Sequence, residues 1–186
     1  STEISDTAKF IVHLGDMFDQ NWCGDFPINE TKKMLLESPI PIFLTPGEKD
    51  WMQCENSIES LHLWQENFVG FEDNWLDTNT IDVKRDGSRT ENFAFLESGI
   101  LFVGVNIIDE KGKKKTQNEV QLNALVDDAL NFFMHEVELF EAEILATVIM
   151  SHGRGDQKYT KHFSESIKKI VQLRYGEISI PIMHIN

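Results

Sequence analysis

Cysteine is scarce in this chain: Cys23 and Cys54 are the only two in 186 residues. Two are too few for a disulfide scaffold or a four-cysteine zinc site, and they leave two states open, one bridge or two free thiols. Basic side chains are also short, 17 Lys and Arg against 31 Asp and Glu, for a formal net charge of -14. That deficit argues against a nucleic-acid backbone or an anionic membrane as partner, since both need basic surface. It says less about small phosphates, because a bound divalent cation inverts the local field. No apolar run nears the ~20 residues of a membrane-spanning helix, and mean hydropathy is -0.29. The opening stretch Ser1 to Lys9 is polar and does not read as a secretory leader, which leaves open an earlier leader already removed. Also missing are a G-x-x-x-x-G-K phosphate loop, a G-x-S-x-G nucleophile elbow, any internal repeat and any low-complexity linker.

What remains is a chain with 41% hydrophobic residues, enough for one packed domain over 1–186. Apolar runs at Lys9–Leu14, Pro39–Thr45, Asn92–Leu96, Ile100–Asn106, Ala146–Met150 and Ile180–Ile185 read as strands. Helical spacing covers Asn29–Glu37, Ser57–Phe68, Asn118–Phe140 and Lys161–Arg174. Ser98-Gly99 is a two-residue turn joining two strands. Asp77–Thr90 is polar with a turn at Asp86-Gly87, and Lys111–Lys115 is a basic loop. Strands alternating with helices, with one hairpin inserted, predict an α/β fold built on a mixed sheet or two packed sheets.

Three strands run straight into residues that suit a metal: Gly15-Asp16-Met17-Phe18-Asp19, Gly47-Glu48-Lys49-Asp50 and Ser151-His152-Gly153. Open α/β sheets bind ligands at the carboxyl ends of their strands, and carboxylate with imidazole suits hard-to-borderline divalent ions. Taken singly, a Gly-Asp after a strand is more often an ordinary turn, and a strand-end His is more often a hydrogen-bonded structural residue. Their order and spacing carry the reading.

In that order and spacing the chain resembles the calcineurin-like metallophosphoesterases, whose five motifs are D-x-H, G-D-x-x-D, G-N-H-[DE], a strand-end His and G-H-x-H. Gly15 to Asp19 matches the second and His152 the fourth. Pro46-Gly47-Glu48-Lys49-Asp50-Trp51 is similar to the third, nearer to a branch with G-D-N-E-W there, a nearby Cys, and later W-x-x-x-F and R-x-E-N-F; Trp64 to Phe68 and Arg89 to Phe93 fit those strings. Glu48 stands where the family's metal-binding Asn belongs and Lys49 where its catalytic His belongs. The first and last motifs would precede Ser1 and follow Ile185, so the chain reads as a family domain clipped at both ends. His184, inside the last strand, is not assigned to the final motif.

The resemblance implies a layered α-β-β-α sandwich and hydrolysis of a phosphate ester by a metal-activated water at a binuclear site. Asp16, Glu48 and His152 would hold two divalent ions (Mn, Fe or Zn), with Asp16 as the bridge. Lys49 and Asp50 are the catalytic candidates, and Asp19 would orient a neighbour. Lysine is a poorer acid than histidine near neutral pH, yet it neutralises a phosphate as a point charge. The alternative is a catalytically impaired relative that serves as a binding or scaffold module, which the Glu48-Lys49 replacement motivates. Specificity for the phosphoester substrate would lie in Gln20–Pro27 and Asp77–Thr90.

His13 reads as core or as support for the site, and His62, His135 and His162 as surface. Trp22, Trp51, Trp64 and Trp75 read as packing, and Arg154-Gly155-Asp156 as a chance string. Cys23 and Cys54 each lie four residues beyond a strand-end motif. Neighbouring strands would bring them within the ~4.4–6.8 Å Cα separation of a bridge. A bridge, with the sequon at Asn29-Glu30-Thr31, would favour a secreted or lumenal protein; two free thiols would favour the cytosol.

Overall fold

The computed structural model describes residues 8–18, 23, 25–75, 81–109, 119–175 and 181–186. Asp19, Trp22, the loop Lys111–Lys115, and parts of Gln20–Pro27 and Asp77–Thr90 lie outside the described residues. The chain forms two compact units, Ser1–Thr80 and Ile81–Asn186. The architecture is mixed α/β, with both parallel and antiparallel strand pairs.

In the first unit, β1 (Ile11–His13) and β2 (Ile42–Leu44) pair in parallel with Ile11 opposite Ile42 and His13 opposite Leu44. Parallel pairing needs a crossover, and helix α1 (Asp25–Leu35) lies within it. This helix starts four residues earlier than its apolar spacing suggests, with Pro27 in the first turn, where a missing N–H costs nothing. Helix α2 (Ser57–Phe68) has the predicted limits. Asn56 accepts the Glu59 N–H at its start, at 3.4 Å, and Gly70 at φ 71° turns the chain away just past its end. A 3-10 turn follows at Phe71–Trp75. Phe18, Ile28, Ile42, Leu44, Trp64, Phe68 and Phe71 form the core of this unit.

The second unit is a five-stranded sheet in chain order: β3 (Lys84–Arg85), β4 (Phe93–Glu97), β5 (Ile100–Gly104), β6 (Ala146–Met150) and β7 (Ile182–Ile185). The first three strands run antiparallel and the last three parallel. The β4–β5 turn is Ser98-Gly99, at φ 53° and 79°. Positive φ at both central residues is what matches a two-residue turn to strand twist. Helix α3 (Glu119–Leu139) buries a stripe including Leu122, Leu125, Val126, Ala129, Phe133 and Val137. Helix α4 (Lys158–Tyr175) buries Tyr159, Phe163, Ile167 and Val171, one residue per turn. Phe163 meets the His184 ring edge-on at 6.1 Å, so α4 covers the face of β7 that carries His184.

Candidate functional site

The first unit builds its part of the site from two glycines. Beyond β1 the chain enters the left-handed region twice, at Gly15 (φ 86°) and Asp16 (φ 56°). Beyond β2, Gly47 lies against this turn. A Cβ on Gly15 would run into the Gly47 backbone, and a Cβ on Gly47 would run into the Asp16 amide nitrogen and Oδ1. The two loops therefore touch backbone to backbone, which only glycine allows.

Asp16 is fixed at this junction. Its Oδ1 accepts the backbone N–H of Lys49 at 2.9 Å, and its Oδ2 lies 3.5 Å from the Lys49 ammonium. The Asp16 side chain is 22% exposed and that of Lys49 45%. Glu48 is buried, at 4% exposure. Asp50 is buried too, and both its oxygens accept backbone N–H groups, Oδ1 from Phe18 at 3.1 Å and Oδ2 from Gly47 at 2.8 Å. Burial pushes its carboxyl up to about 6, against the lowering effect of those N–H donors. Asp50 thus ties the loop after β2 to the loop after β1. His13 accepts the Gly15 N–H through Nδ1 at 3.2 Å, a supporting role. Cys23 and Cys54 form a disulfide with a Cα separation of 5.9 Å, within the expected range, and the bridge closes the same pair of loops.

His152 is at the carboxyl end of β6 in the second unit, half-buried. The next residue is wedged: Gly153 donates to the Ile107 carbonyl at 2.8 Å, and a Cβ on it would meet Thr160 Oγ1, the Ile107 carbonyl and Asp109. Asp109 is buried and accepts from the Tyr159 and Thr160 amides and, at 2.6 Å, from the Thr160 hydroxyl. It caps α4 from 49 residues away, measured to Lys158.

No protein-family model, curated protein or solved structure matches this chain.

Asp16 and Glu48 are oxygen donors of the kind hard and borderline divalent ions take, and Asp16 faces solvent in part. Asp50 does not fit that role, because backbone donors hold both its oxygens. Among the described residues no group of three or more His, Cys, Asp and Glu side chains is placed to hold a metal ion. Asp16, Glu48, Lys49 and Asp50 come together around the ends of β1 and β2, and His152 belongs to the other unit.

Sequence reasoning passed over a buried polar group on the second unit. Asn106 donates through Nδ2 to Glu91 at 2.9 Å and through its backbone N–H to Asn92 Oδ1 at 2.8 Å. All three are at most 1% exposed, and Asn106 Oδ1 has no hydrogen-bond partner among the described residues. Glu91 and Asn92 were visible as part of Arg89 to Phe93, but nothing in the sequence joins that string to Asn106. The four tryptophans divide as expected where described: Trp51 and Trp64 are buried, and Trp75 donates to the Ser38 carbonyl at 2.9 Å. His62, His135 and His162 are exposed.

Proposed function

We propose that this chain is the central part of a calcineurin-like metallophosphoesterase, arranged as a layered α-β-β-α sandwich. In the intact protein it hydrolyses a phosphate ester. The observation that carries the proposal is the glycine–glycine junction that presents Asp16 beside Lys49 at the ends of two adjacent parallel strands. Asp16, Glu48 and His152 would hold two divalent ions of the Mn, Fe or Zn type. When bound, such a pair polarises the phosphoryl group and activates water for in-line attack. Asp16 offers two oxygens to the pair, Lys49 brings positive charge to a phosphate, and Asp50 keeps the two loops in register. The disulfide and the exposed Asn29 of the sequon support a secreted or lumenal protein. No helix among the described residues is long and apolar enough to cross a membrane.

A second reading, a catalytically impaired binding module, is favoured by one specific observation: both oxygens of Asp16 already face Lys49. Turnover separates the two. A protein extended beyond both ends, supplied with Mn²⁺, should hydrolyse p-nitrophenyl phosphate. Asp16→Asn should reduce that rate by at least ~100-fold, the upper end of what loss of a ligand-supporting group costs. Absence of Mn²⁺-dependent turnover in the extended wild-type protein would leave the binding-module reading.

A further inference from the structure

The carboxylate of Asp16 is not simply displayed. Its Oδ1 is held by the Lys49 amide and its Oδ2 by the Lys49 ammonium. One residue thus supplies a fixed donor and a mobile positive charge to the same group. The amide bond sets the spacing, so the side chain needs only a local fold-back to reach Oδ2. The ammonium is 45% exposed, at the end of a flexible four-carbon stem that can swing into water.

We propose that the Lys49 ammonium is a tethered counter-cation that competes with a divalent metal for the Asp16 carboxylate. This rests on the reading of Asp16 as a metal ligand and adds a control on it. A dication on Oδ2 and an ammonium ~3.5 Å from that same oxygen repel each other, even through water. Metal therefore binds Asp16 only as Lys49 leaves. Without metal, the ammonium keeps the carboxylate paired at the strand ends.

The test is Mn²⁺ titration by calorimetry of the protein extended beyond both ends and its variants, each first shown to be folded by near-ultraviolet circular dichroism. Lys49→Met removes the charge and keeps the stem, and should tighten Mn²⁺ binding by about tenfold. Lys49→Arg keeps the charge and should bind as wild type does. Asp16→Asn should abolish binding in either background; Asn suits the positive φ at this position, so the turn is kept. If Lys49→Met binds as wild type while Asp16→Asn still abolishes binding, the competition is refuted and Asp16 stands as a ligand. If Lys49→Arg tightens binding as much as Lys49→Met, charge is not the cause and the inference falls. If neither wild type nor Lys49→Met binds Mn²⁺ through Asp16, both the inference and the ligand reading fall.

Discussion

At the scale of single residues, the site depends on what is missing from Gly15 and Gly47. The sequence suggests that glycine before an acid lets the chain turn sharply and exposes the side chain. That accounts for Gly15 and its positive φ, but Gly47 has a second reason, the direct approach of the other loop. Gly47→Ala should therefore destabilise the first unit by about 3 kcal/mol or more, since the added carbon meets backbone that cannot step aside. A urea midpoint within error of wild type would contradict this. Asp50 has a setting in the structure that its motif does not show. Placed by resemblance among the catalytic candidates, it is buried with both oxygens on backbone N–H groups. Its carboxyl is raised from 3.8 to about 6. The folded chain therefore binds this proton more tightly than the unfolded chain does. The contribution of Asp50 to stability is full below pH 3.8 and is lost as pH rises through about 6. A rise of that size corresponds to roughly 3 kcal/mol. Carbon-13 titration of the Asp50 carboxyl should show an inflection near 6; an inflection near 3.8 would refute the burial argument.

At the scale of elements, local signals were read where the local chain decides. Helix α2, strand β6 and the Ser98-Gly99 hairpin follow from spacing and turn chemistry. Boundaries set by distant groups were not legible. Helix α4 starts at Lys158 rather than Lys161, because Asp109 satisfies its first-turn amides from another segment. Strand β3 is two residues long and exists only through pairing with Ala94 and Phe93. Strand β7 adds a link hidden from its sequence. His184 bonds Ser151 on its Nε2 side at 2.8 Å and Ser164 on its Nδ1 side at 2.9 Å, joining β7 to the end of β6 and to α4. A neutral ring donates from one nitrogen and accepts at the other, and hydroxyls adapt to either tautomer. Burial lowers the pKa of His184 below its ordinary 6.5. Its stabilising contribution is thus full above pH 6.5 and is lost as pH falls through the lower folded value. His184→Gln can bond both hydroxyls without titrating. It should show a smaller drop in urea midpoint than wild type between about pH 7.5 and about pH 5.5. Equal drops would rule out His184 as a source of acid sensitivity.

At the scale of the whole molecule, the chain divides into two units, and the first packs its core around Phe18, Ile42, Leu44, Trp64, Phe68 and Phe71. At ~0.05–0.15 kcal/mol per residue, a unit of this length holds only about 4–12 kcal/mol, so a covalent staple weighs heavily in it. The staple is the bridge between Cys23 and Cys54, 31 residues apart. Both strand ends were legible because each is a short motif followed by a cysteine. Their pairing was legible because a short strand–helix–strand crossover makes neighbours of its strands. How the disulfide, Asp50 and the glycine junction combine to hold one pair of loops was not, since that is three-dimensional packing. Closing a loop of this length removes chain entropy from the unfolded state and contributes about 3–4 kcal/mol, a large share of what such a unit has. Reduction should therefore weaken the β1–β2 pairing. Hydrogen exchange is the direct readout, at the Ile11 amide bonded to the Pro41 carbonyl and the Thr45 amide bonded to the His13 carbonyl. With dithiothreitol, their protection should fall by about two orders of magnitude or more, the fold-change equivalent of that free energy. The Cys23→Ser, Cys54→Ser double variant should match the reduced protein without any reductant. Unchanged protection at both amides in both preparations would mean that packing alone holds the loops, and that the bridge is not what stabilises the candidate site.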